Sequence, residues 1–197
     1  MDHQARNPKV VIMFYESKIN NKMEKKENFK FAWRIVAAHV IAYFIAGIFA
    51  MQVLHYEDWF SNGVLSLFMR PTSAPIIALG PCLQVLRGII MALVFLPFRK
   101  VITEGKYGFL KLGLLILGLS VLSTFAAATG SVDGFIYTII PLMEQIKGYP
   151  EALLWIALFS GILWIFYKYE KKAFNIIAIV LCALIFFVCL AGYLNAL

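Results

Sequence analysis

The sequence predicts an all-α fold, a bundle of about five transmembrane helices with its N-terminus inside and its C-terminus outside. Three observations carry this. Apolar residues make up 61% of the 197-residue chain and charged residues only 15%, against about a quarter charged in ordinary soluble domains, and the mean hydropathy is +0.79. Five stretches, 31–54, 76–98, 109–128, 152–169 and 173–194, are long and apolar enough to approach or exceed the roughly 20 helical residues that cross about 30 Å of hydrocarbon. Lysine and arginine collect on one side of them: with the N-terminus inside, fifteen of the eighteen face the cytoplasm, Arg70 and Lys147 lie outside, and Arg87 lies in the membrane.

Residues 1–30 read as a polar cytoplasmic tail of mixed charge, disordered or, ahead of Met23, the product of an upstream start. The short apolar patch at 10–15 is followed by no small-residue cleavage pattern of a signal peptide. Residues 31–197 form a single membrane-embedded domain, because no remaining segment is long enough to build a core of its own. The formal charge of +7 flanks apolar spans, which suits membrane topology and gives no reason to expect nucleic acid. Such a chain fits a bacterial cytoplasmic membrane, given its short loops and small soluble parts.

The first span carries Ala38, Ala42, Ala46 and Ala50 four residues apart, and the second carries Gly80, Gln84, Gly88 and Ala92. Small residues at that spacing let helix backbones approach closely, so the rows are expected to pack together or to dock a partner subunit or a second copy. Over that motif alone the first helix resembles the substrate-binding subunits of energy-coupling-factor vitamin importers, whose small residues there meet a partner subunit. The resemblance implies a sixth span, which this chain lacks, and no residue role is carried over.

Between the spans, 55–75 holds Tyr56, Trp59, Phe60 and Phe68, and 129–150 is interrupted by Pro141. Both read as interfacial or partly re-entrant segments on the outer side. The fourth and fifth spans, separated by Glu170, Lys171 and Lys172, form a tight helical hairpin.

Arg87 is the most informative residue. A guanidinium near the middle of an apolar helix costs at least about 2.5 kcal/mol and marks a functional group by default. None of the five spans holds an interior acid. Three counter-partners are open: Asp133 or Glu144 dipping inward, backbone carbonyls with Gln84, or a bound anion such as a carboxylate solute or lipid phosphate. Hydroxyls at Ser120 and Thr124 on the third span, and His39 and Tyr43 on the first, are the other candidates to line an outer-facing polar pocket. His39 is placed in the inner half, away from Arg87.

Cys82, Cys182 and Cys189 fall within spans as small apolar residues. His39 and His55 stand sixteen residues apart, roughly 24 Å along one helix, too far to flank one haem iron. No zinc-protease, serine-hydrolase or P-loop pattern is present, and no metal or cofactor is expected. Three readings follow, in order: a binder or carrier of a small anionic solute through Arg87, Gln84, Ser120, Thr124, His39 and Tyr43; an accessory membrane subunit docking through the alanine row; and a lipid-modifying enzyme.

Overall fold

The computed structural model describes residues 8–62, 64–124 and 126–196. It is 82% helix with no strand among the described residues, as a chain whose backbone must satisfy its own hydrogen bonds in lipid requires.

Helix α1 (Pro8–Val53) is 46 residues long. It begins well before the apolar stretch, which corrects the reading of 8–30 as irregular; residues 1–7 lie outside the described residues. Proline suits a first helical position. The Met23-to-Glu27 run consists of strong helix formers, and Lys30 adds an ion pair to Glu27 at 3.7 Å. At about 1.5 Å per residue α1 extends roughly 69 Å, more than twice a hydrocarbon core. Its N-terminal portion, exposed from Met13 to Lys26, projects beyond the bundle.

Two short helices, α2 (Tyr56–Ser61) and α3 (Pro75–Ala78), lead into α4 (Gly80–Phe95). A 3₁₀ turn over Leu96–Phe98 joins α4 to α5 (Arg99–Thr103), tightening at Pro97, which has no N–H to continue the α ladder. Helix α6 (Gly108–Ile116) then widens into a π turn over Leu117–Leu122 and ends with Ser123 N–H bonded to Gly118 O at 2.9 Å. Helices α7 (Val132–Tyr137) and α8 (Leu142–Ile146) occupy the second long connection. The chain closes with α9 (Tyr149–Tyr169) and α10 (Lys172–Asn195). Their hairpin turns at Glu170, which is left-handed at φ 41° and held by Lys30 Nζ at 3.1 Å.

Among the described residues four helical runs are long and apolar enough to cross a membrane: Met13–Val53, Gly80–Thr103, Leu142–Tyr169 and Lys172–Asn195. The expected five are not reached. The helix over Gly108–Leu122 covers only about 22 Å at 1.5 Å per residue, because the helix gives way where Gly118, Ser120, Ser123 and Thr124 replace larger apolar residues.

Side-chain pairings give the order of packing. His39 meets Gln84 and Val36 meets Gly88, so α1 and α4 are antiparallel. Lys30 with Glu170 and Arg34 with Phe166 make α1 and α9 antiparallel. Phe109 with Tyr167, and Gly113 with Ser160, do the same for α6 and α9. Cys82 reaches the Phe186 carbonyl and Ala78 meets Gly192, fixing α10 against α3 and α4. Helix α1 packs against α4, α9 and α10, and half of its apolar window is buried, against 17% for α4 and for α10.

Ala38, Ala42, Ala46 and Ala50 are all at most 1% exposed. Their small side chains are buried in packing within the chain. In the second row Gly88 is a close contact: a Cβ there would stand 3.1 Å from Val36 Cα. Gly80 is not, since a Cβ there would meet nothing within 4 Å.

The two long connections fold onto each other. Tyr56 donates its hydroxyl to Glu151, and the Trp59 indole donates to Glu144, with the two rings edge-on at 4.9 Å. Buried Gln145 pins the α7–α8 turn, donating to Gly134 O at 2.8 Å and accepting from Gly130 N–H at 3.0 Å. Burial first, and then the Glu151 carboxylate, push the Tyr56 phenol above its ordinary value of 10.0. Tyr56 therefore stays a neutral donor at ordinary pH.

Gly88→Leu is expected to cost about 1–3 kcal/mol by overpacking against Val36, while Gly80→Ala leaves thermal stability in detergent undiminished. For the connection, a raised folded-state pKa means that stability is full below the unfolded value and falls as pH rises past it. The thermal midpoint should drop above pH 10.0, and Tyr56→Phe should flatten that drop.

Candidate functional site

Arg87 sits on α4 one turn from Gln84, at the height where α1 carries His39. His39 is fully buried and its Nε2 lies 3.0 Å from Gln84 Oε1. With the amide oxygen accepting, the imidazole donates from Nε2 and leaves Nδ1 buried without a partner. The antiparallel register of α1 and α4 thus brings His39 close to Arg87, which corrects its placement at a different depth. Tyr43, one turn along α1, lies 6.2 Å from His39 between ring centroids.

Helices α4 and α9 both pack chiefly on α1. Arg87 reaches from α4 to α9, its guanidinium carbon 5.3 Å from the centroid of the Trp155 ring. Trp155 is buried, stacks on Phe159 at 5.9 Å and takes His39 edge-on at 5.4 Å. Arg87 itself is exposed, and among the described residues it makes no ion pair. A ring face attracts a cation by about 0.5–2 kcal/mol, which orients the guanidinium without neutralising it or using its five N–H donors.

The expected counter-partners are engaged elsewhere: Glu144 accepts from Trp59, and the Gln84 oxygen faces His39 rather than Arg87. Ser120 and Thr124 are not brought to Arg87. Ser120 is exposed on the π turn, and Thr124 donates to Ala126 O at 2.8 Å within its own loop. The expected pocket is therefore reduced to Arg87, Gln84, His39, Tyr43 and the unforeseen Trp155, all on α1, α4 and α9. Among the described residues no group of three or more His, Cys, Asp or Glu is placed to hold a metal.

Arg34, which topology counting placed at the cytoplasmic side, is 1% exposed. Its guanidinium carbon lies 4.5 Å from the Tyr167 ring and 5.5 Å from the Phe166 ring, and Nε and Nη1 have no hydrogen-bond partner. Sequence reasoning missed it because Arg34 stands only one turn inside Lys30 and reads as an interfacial flank. The signal was its i, i+4 relation to Ala38 on the buried row.

A cavity of about 690 Å³ lies between the α5–α6 turn and α9, away from Arg87. Tyr107, Phe109, Ser160, Gly161, Trp164 and Lys168 are among its walls.

Gln84→Leu removes the one hydrogen bond of the buried imidazole. It is expected to lower stability by about 1–3 kcal/mol, the cost of an unsatisfied buried polar group, and His39→Leu in the same background should recover much of the loss in a thermal melt.

No family model, no curated protein and no solved structure matches the chain.

Proposed function

We propose that this membrane protein binds a small anionic solute at Arg87, where it reaches from α4 to α9. The observation that carries the reading is the exposed guanidinium on an apolar helix, turned by Trp155 and provided with no carboxylate. A carboxylate or phosphate matches a planar fork of N–H donors in two places at once. The Gln84 amide nitrogen is a second donor beside it, because the Gln84 oxygen is occupied by His39. Tyr43 offers a hydroxyl on the α1 side. No enzymatic step is assigned to these residues: they hold an anion and hold no nucleophile with a base beside it.

The membrane is taken as a bacterial cytoplasmic membrane with the N-terminus inside. In support, the bundle end marked by the Lys30–Glu170 pair also carries Arg99, Lys100, Lys106, Lys111, Lys168, Lys171 and Lys172, while the opposite end carries Glu57, Asp58, Glu144 and Glu151. Basic residues stay on the cytoplasmic side. Arg87 then stands about 24 Å from the inner end of its run at Thr103, by helical rise, and it is reached from the outer half of the membrane.

Native mass spectrometry of the protein released gently from its own membrane should find a retained small anion. Arg87→Leu should lose it by a factor of ten or more while leaving the thermal midpoint unchanged or raised, and Arg87→Lys, a point charge in place of a fork, should retain it partially. An Arg87→Leu protein that unfolds, or that keeps the same adduct, refutes the reading.

A further inference from the structure

We infer that the cavity between the α5–α6 turn and α9 is a second, separate site, which holds one anionic phospholipid with its headgroup at Lys168 and its chain running inward past Trp164 to Gly161. The cavity follows α9 from Lys168 to Ser160, two turns or about 12 Å of helix, so it is elongated along the bundle. Phe109, Leu110, Gly161 and Trp164 make much of its wall apolar and aromatic. Gly161 supplies the space: a Cβ at that position would meet nothing within 4 Å.

The mouth is cationic. Lys168 Nζ lies 4.2 Å from the Trp164 centroid and Lys106 Nζ 5.3 Å from that of Tyr107, so both ammonium groups are held by ring faces and keep their charge uncompensated. Five lysines, Lys106, Lys111, Lys168, Lys171 and Lys172, flank the mouth in sequence against two acids, Glu104 and Glu170, and Glu170 is taken by Lys30 at 3.1 Å. Behind the Tyr167 wall stands Arg34, buried and without a carboxylate, whose positive field is little screened at that depth. Charge at one end and apolar depth at the other match a lipid with an anionic headgroup. They do not match a free inorganic anion, which would leave the apolar part of the cavity empty. Basic pockets between membrane helices bind anionic headgroups by this chemistry.

The test is native mass spectrometry of the full chain in mild detergent, titrated in parallel with a phosphatidylglycerol, with a phosphatidylcholine of the same chains and with inorganic phosphate. One phosphatidylglycerol per chain should be retained at least tenfold better than phosphatidylcholine, and inorganic phosphate should not be retained. Gly161→Leu should fill the cavity and abolish the retention of phosphatidylglycerol, whereas Lys168→Gln, an exposed change that does not disturb folding, should lower the preference over phosphatidylcholine several-fold. Arg87→Leu should leave it unchanged, which separates this site from the solute site. Equal retention of the two lipids, retention of phosphate alone, a preference unaffected by Lys168→Gln, or loss in Arg87→Leu overturns the proposal.

Discussion

The close approach of α1 and α4 at Val36 and Gly88 is the contact on which the remaining geometry depends. In lipid no hydrophobic drive holds helices together, so backbone proximity and van der Waals packing must supply it. A glycine whose Cβ would stand 3.1 Å from a neighbouring Cα fixes both the spacing and the register of the pair. That register sets Gln84 opposite His39. Once His39 is anchored to α4, its edge meets Trp155 on α9, and Trp155 in turn presents its face to Arg87. The site is a consequence of helix packing carried through three side chains.

The two arginines in the bundle show how differently one charge can be accommodated. Arg34 is wholly enclosed, and its partners are the faces of Tyr167 and Phe166 rather than a carboxylate. Desolvated ring faces offer about 2 kcal/mol or more each. Arg87 has one ring, no acid and an exposed fork in the middle of its run. An enclosed cation held on two sides is structural, whereas an exposed cation held on one side has donors to spare. That contrast is why the proposed anion site rests on Arg87, whereas Arg34 contributes only background charge behind the second cavity.

Membrane character and helical content were legible in composition and hydropathy, because the bilayer constrains backbone and length so strongly. The same pattern overstated the third span: its apolar length is adequate, but hydropathy carries no information about a helix widening at Gly118 and stopping near Ser123. The start of α1 was hidden for the opposite reason. Residues 8–30 are polar, and polarity was read as disorder although their propensities favour helix. Arg87, Gln84, His39 and Tyr43, singled out from type and spacing, lie near one another, and Trp155 among them was not singled out, since an aromatic in an apolar helix has no distinguishing mark until its neighbour is known. Ser120 and Thr124 lie apart from them, because their face was assigned by assuming a regular helix through a stretch that is not one.

Small residues carry the sharpest lesson, because identical letters serve opposite ends. Gly113 and Gly161 lie on adjacent helices at similar height. A Cβ at Gly113 would press on Ser160 Oγ at 3.0 Å, whereas one at Gly161 would meet empty space. The first glycine draws α6 against α9, and the second, next in sequence to that same Ser160, leaves an opening in the wall on another side. Contact at Gly113 holds the short α6 in place over the upper part of α9, and the stretch of α9 below it faces the turn where α5 ends and α6 begins. A helix α6 that is pinned to α9 at Gly113 and tied to α5 by a turn at its start need not fill the volume beside α9 at that turn. A cavity of about 690 Å³ at that level follows from where the pinning glycine lies, and the lysines that topology places at the same end supply its charged mouth.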